Sequence, residues 1–148
     1  MVERLVGRTR RPGRHMVELD RIEAMTLLAS VPYGRMVFTR DALPAIRTVI
    51  HVVERDEIIV ARLTLPSDSG RAVVKEKRNV VVAFEADEID PVRQVGWSVV
   101  ATGFANTVTD PERLAHYRQA LCPWAEDAVV DIIAIEPTIV TGLRLIAA

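Results

Sequence analysis

The tightest constraint on this chain is a succession of short apolar runs rich in β-branched residues, each closed by turn chemistry. They are Tyr33 to Thr39, Ala45 to Val53, Ile58 to Leu63, Val80 to Glu85, Trp97 to Val108, Val129 to Ile135 and Thr138 to Ile146. Valine, isoleucine and the aromatics fit a pleated surface better than a helix. Asp41-Ala-Leu-Pro44 and Glu54-Arg-Asp-Glu57 separate the first three runs, so two hairpins in series are expected. Six or seven strands with only short helices between them predict an antiparallel barrel or sandwich, and argue against a parallel α/β sheet.

The helices are few. Leu19, Ile22, Ala24, Met25, Leu27 and Leu28 recur at helical spacing behind acidic Asp20 and Glu23, so one short helix is expected between Leu19 and Val31, ending before Pro32. Thr109-Asp-Pro-Glu112 combines a cap, an early proline and an early carboxylate, which opens a second from Pro111 to Leu121. A third is expected over Arg71 to Arg78. The Val80 to Glu85 run reads as a strand covered on both faces, and the polar stretch Asp87 to Val95 as a connection. Gly103 marks a bulge or a close backbone approach, and Glu136-Pro137 divides the last two runs.

A chain of 148 residues holds one core. The expected organisation is a single domain over 16–148 behind an arm, 1–15, that carries Arg4, Arg8, Arg10, Arg11 and Arg14. The arm reads as a flexible solvated segment, with a phosphate-contacting or docking segment as alternatives. A net charge of -1 gives the whole molecule no field to gather nucleic acid or anionic membrane. There is no apolar run of membrane-spanning length and no secretory h-region, so a soluble cytoplasmic protein is expected. Cys122 is the single cysteine and reads as a small, partly buried apolar residue. His15, His51 and His116 are far apart, and the glycines form neither a dinucleotide fingerprint nor a P-loop.

What remains is a cationic set about the loop Thr64 to Gly70. Arg62 ends one strand, while Arg71 and Lys75 lie at and one turn into the helix expected after Ser69-Gly70. Loop amides at a helix start with guanidinium groups nearby suit one phosphate monoester. The same residues also read as an ordinary cap with solvated arginines. In the run Ala45 to Val53, period two places Arg47, Val49 and His51 on one face and Ile46, Thr48, Ile50 and Val52 on the other. The first face could line a cavity or meet solvent.

Several segments together resemble a known family. Leu27-Leu-Ala-Ser-Val-Pro-Tyr-Gly-Arg-Met-Val-Phe38, Ala42-Leu-Pro-Ala-Ile-Arg-Thr-Val-Ile-His51, Val82-Ala-Phe-Glu-Ala-Asp87, Gly96-Trp-Ser-Val99 and Ile135-Glu-Pro-Thr-Ile-Val-Thr-Gly-Leu-Arg144 follow the order and spacing of the pyridoxamine 5'-phosphate oxidase-like flavin-binding proteins of actinobacterial type. The resemblance covers about His15 to Leu145. It implies a split β-barrel homodimer with a flavin near the subunit interface. It also implies that Arg47, Thr48, Val49 and Ile50 pass along the isoalloxazine. Arg62, Leu63, Thr64, Ser69, Gly70, Arg71 and Lys75 would then hold ribityl and phosphate, and Trp97 would approach the site or pack in the dimer core. FMN is the expected cofactor; Ile50 stands where the family commonly has asparagine, and Leu63 where an arginine is usual, departures that make the deazaflavin F420 the alternative. The implied activity is a flavin-dependent oxidoreductase acting on a small-molecule substrate or electron donor. A non-catalytic flavin-binding protein is the rival reading, and DNA binding through the arginine-rich arm a third.

Overall fold

The computed structural model describes residues 14–63, 77–121 and 130–147. It contains seven antiparallel strands and two helices, in the order β1 (Arg14–Glu18), α1 (Arg21–Ala29), β2 (Tyr33–Arg40), β3 (Leu43–Glu54), β4 (Glu57–Leu63), β5 (Val80–Asp90), β6 (Val95–Thr107), α2 (Pro111–Ala120) and β7 (Val130–Ala147). The sheet runs β1-β7-β4-β3-β2-β5-β6, and β6 pairs back onto β7. Six strands therefore close a barrel, and β1 lies along the second half of β7 outside the ring. The strand runs predict a barrel or sandwich, and the architecture is the mainly β split barrel that the family resemblance implies.

Local chemistry sets the corners. β2 to β3 and β3 to β4 turn through two residues each, since Arg40 pairs with Leu43 and Glu54 with Glu57. The residues between them, Asp41, Ala42, Arg55 and Asp56, all have φ between 51 and 65°. Positive φ at both central positions is the type I′ hairpin, whose twist matches the strands. After β5, Asp90 Oδ1 accepts from the Val92 and Arg93 amides at 2.9 and 3.0 Å, and these bonds hold its carboxyl below the usual carboxylate value. Asp20 and Asp110 cap the two helices through the amides of Glu23 and Arg113.

Three expectations are corrected. The Val80 to Glu85 strand has one covered face only, because Val81 is 60% exposed. It also runs through the polar stretch to Asp90, since β6 supplies a partner for every residue of it. The last two runs form a single strand, β7, despite Pro137. The register skips a residue there, with Thr102 facing Ile139 and Gly103 facing Pro137. Proline survives in a paired strand at such a bulge. Gly103 permits it, since a Cβ there would lie 1.9 Å from the Glu136 carbonyl oxygen. The strand at Arg14–Glu18 was not legible and begins inside the expected arm; residues 1–13 lie outside the described residues, as do most of the expected Arg71 to Arg78 helix and Cys122.

Two apolar clusters hold the fold. Met36, Phe38, Val49, Phe84, Trp97 and Val99 belong to the barrel interior, which α1 closes with Ala24, Met25 and Leu28. Ile50, Ile59, Ala61, Ile132 and Ala134 face outward from β3, β4 and β7 onto Tyr117 of α2 and Leu121 just after it. The uninterrupted runs Ile58-Ile-Val-Ala61 and Ile132-Ile-Ala-Ile135 are thus the strands covered on both faces.

Candidate functional site

The barrel opens where β3 and β4 part. Their ladder runs from Glu54–Glu57 to Ile50–Ala61 and stops, although both strands continue. Beyond that point β3 stays paired with β2, and β4 stays paired with β7 as far as Leu63 and Val130. Among the described residues, Thr48 and Val49 lie beyond the end of the β3–β4 ladder while still paired with β2. An open strand edge offers alternating N–H donors and C=O acceptors, suited to a planar ligand with both kinds of group on its rim.

Cations gather on the other side of this split. Arg62 Nη2 donates to Asp131 Oδ2 at 2.9 Å across the β4–β7 register, with both side chains 15% exposed. The Arg62 guanidinium carbon lies 5.8 Å from the centre of the Phe38 ring, and the Lys77 ammonium 5.4 Å from the same centre. Burial holds the Lys77 ammonium below its ordinary pKa, Arg62 and Arg40 lower it further, and Asp131 opposes them. Among the described residues, Arg62 and Lys77 thus set two cations beside Asp131. Gathering that charge is costly without an anion to balance it. A phosphate group accepts the bonds these donors make.

The family pattern for pyridoxamine 5'-phosphate oxidase matches residues 20–144. The chain belongs to that family. An uncharacterized protein of Mycobacterium tuberculosis is 53% identical over 136 residues, which cover 91% of this chain and 89% of the relative. Among solved structures, a Corynebacterium glutamicum protein provisionally named a pyridoxamine 5'-phosphate oxidase superposes with a TM-score of 0.69 at 27% identity, over 90% of this chain and all of that one. The FAD binding protein from Mycobacterium smegmatis gives 0.64 at 35% identity, over 86% of this chain and 97% of its own.

Within this member of the family the expected site residues separate. Arg62 stands at the split, and Leu63, half-buried, ends β4 beside it. Arg47 is half-buried opposite Met36 at the barrel's inner face, and Thr48 is exposed on the outer one. Val49 lies in the interior cluster and Ile50 in the outer cluster under α2. The Arg47, Val49, His51 face thus turns inward as period two requires, with Val49 and His51 buried and Arg47 half-buried. Trp97, 4% exposed, packs into its own barrel. Thr64, Ser69, Gly70, Arg71 and Lys75 lie outside the described residues.

His51 is 2% exposed. Its Nε2 lies 2.7 Å from the Leu28 carbonyl oxygen, and the ring meets Phe84 edge-on at 4.7 Å. Burial pulls its pKa below 6.5, against the bond to Leu28, which raises it. It is a neutral core residue that ties β3 to α1. Sequence reasoning missed Phe38, Lys77 and Asp131. Asp131 did leave a signal, as the lone carboxylate in the apolar run Val129 to Ile135, where a charge needs a partner.

No helix among the described residues is long and apolar enough to cross a membrane.

Proposed function

We propose that this chain binds a flavin at the split between β3 and β4 and acts as a flavin-dependent oxidoreductase in a cytoplasmic homodimer. The observation that supports the reading is the pair of cations, Arg62 and Lys77, set over Phe38 beside the point where the β3–β4 ladder ends. The name of the Mycobacterium smegmatis relative supports it, since that protein is an FAD binding protein. When bound, the flavin supplies the hydride or electron chemistry. The chain positions it. Arg62 and Lys77 neutralise the phosphate, joined by Thr64, Ser69, Gly70, Arg71 and Lys75 of the segment that leads from β4 to Lys77. The backbone edge at Arg47, Thr48 and Val49 orients the ring, with Ile50 and Leu63 as apolar walls. FMN is the leading cofactor, and FAD or the deazaflavin F420 are the alternatives.

A second reading, a flavin carrier without turnover, is favoured by the burial of Ile50 and His51. Neither presents a polar group to the split. Titration with FMN, FAD and F420, followed by visible absorbance, tests binding. Saturable change with at least one is expected, and none with any of the three overturns the proposal. Anaerobic mixing of the complex with NADPH or reduced F420 then decides between the two readings. Bleaching of the bound cofactor supports the oxidoreductase, and persistent colour with every donor supports the carrier.

A further inference from the structure

The segment that enters β5 is pinned to the end of β6. The Lys77 amide donates to Thr107 Oγ1 at 2.8 Å, and the Thr107 amide donates back to the Lys77 carbonyl oxygen at 3.0 Å. Two residues on, the Asn79 amide donates to Asn106 Oδ1 at 2.9 Å, and Asn106 Nδ2 donates to Asn79 Oδ1 at 3.4 Å. Asn79 has φ 49°, a left-handed conformation in which asparagine is enriched. The β5–β6 ladder begins only at Val80 and Ala105. Two side chains of β6 therefore hold a stretch that the ladder does not reach.

The clamp bears on the cation site. Thr107 pairs with Ile133 at the end of the β6–β7 ladder. By period two Ile133 shares one face of β7 with Asp131, the partner of Arg62. Lys77 is thus anchored at the corner where Arg62 and Asp131 stand, with its ammonium 5.4 Å from the centre of the Phe38 ring. The side chain alone does not favour this place. Asp131 attracts the ammonium, but burial, Arg62 and Arg40 all disfavour its charge, and the balance lies below the ordinary lysine pKa. A lysine with a free backbone keeps its strongly hydrated head in water.

We propose that Thr107, supported by Asn106, is a positioning residue of the phosphate site, holding the Lys77 backbone so that the ammonium meets a flavin phosphate beside Arg62. The inference rests on the flavin reading above and adds the residues that set the site's preference for a phosphorylated flavin. Both act through Lys77. The hydroxyl is the working part: valine has nearly the same shape but leaves the part-buried Lys77 amide without its acceptor. Serine keeps the oxygen.

The experiment compares wild type, Thr107→Val, Thr107→Ser and the Asn106→Ala, Thr107→Val double variant, each checked for fold by circular dichroism, in titrations with FMN and riboflavin followed by visible absorbance. Loss of one charge-assisted contact predicts an FMN preference about tenfold smaller in Thr107→Val and no larger in the double variant, with riboflavin affinity unchanged. Thr107→Ser is expected to keep the wild-type preference. An FMN preference that survives both valine-bearing variants overturns the inference, as does a serine variant that loses as much as the valine one. A second readout needs no flavin. Followed by NMR of carbon-13-labelled lysine side chains, Lys77 is expected to titrate below the other lysines in wild type and to rise toward their value in Thr107→Val, as its ammonium moves into water. A Lys77 titration indifferent to Thr107→Val overturns the anchoring. The two readouts keep the proposals apart: equal binding of both flavins by wild type, with a Lys77 titration that responds to Thr107→Val, defeats the phosphate reading alone. A wild-type FMN preference that no variant alters defeats this inference alone.

Discussion

Replacing Asp131 with Asn removes the carboxylate that pairs with Arg62 and favours the charged form of Lys77, while keeping nearly the same shape. The Arg62–Asp131 bond is 2.9 Å long and both side chains are 15% exposed, so water screens it incompletely. A charge-assisted hydrogen bond is worth about 1.5 to 3 kcal/mol, and stranding its buried cation costs more than losing the bond alone. Partial exposure brings the expected loss to about 2 kcal/mol of unfolding free energy, read from urea denaturation as a lower midpoint with unchanged slope. The variant has a second signature. Its cluster has lost a negative charge, so inorganic phosphate stabilises it more than wild type when chloride of equal ionic strength is the reference. At ten times its dissociation constant the anion returns about 1.4 kcal/mol. A variant as stable as wild type, or one that phosphate stabilises no better than chloride, refutes the reasoning that this corner is an electrostatically strained anion site.

Three other outcomes follow from the fold. Gly103→Ala drives a methyl into the Glu136 carbonyl at the bulge, and thermal unfolding is expected to show a loss of at least about 2 kcal/mol; an unchanged melting temperature would contradict the close approach. Ala42→Gly relieves a φ of 63° in the β2–β3 turn, with about 1 kcal/mol gained and a melting temperature raised by about 2 to 4 °C. His51 is held neutral by burial, so its folded pKa lies below its unfolded value of 6.5. Its contribution to stability is complete above pH 6.5 and is lost as the pH falls from there toward the folded pKa. Glu85, pushed up to about 7, works in the opposite sense and loses stability as the pH rises from about 4.5 to 7. Urea midpoints measured across this range are expected to show a flatter acid limb in His51→Phe and a flatter rise-side decline in Glu85→Gln.

Much of the barrel could be read from period and punctuation. The Asp41-Ala42 and Arg55-Asp56 turns bracket β3 within two residues, and Asp110-Pro111 starts α2 where the cap requires. The errors have physical sources. Pro137 signals a break because its missing N–H ordinarily ends a ladder, and only the facing Gly103 thirty-four positions earlier shows that a bulge absorbs it. β1 has too few residues for a period, and its pairing with β7 is a long-range event. At the site, Arg62 was visible as a strand-end cation. Lys77 and Phe38 join it only through the barrel's closure, and the face that Arg47 shares with Val49 and His51 turns inward as its period implied.

The central claim is that the split between β3 and β4 seats the phosphate of a flavin, and comparing FMN with riboflavin tests it most directly, since the two differ by that group alone. Two charge-assisted contacts worth about 3 kcal/mol together predict FMN binding on the order of a hundredfold tighter than riboflavin, with most of that ratio lost in the Arg62→Gln, Lys77→Gln double variant. Equal affinity for both flavins in the wild-type protein, or a ratio untouched by the double variant, would contradict it.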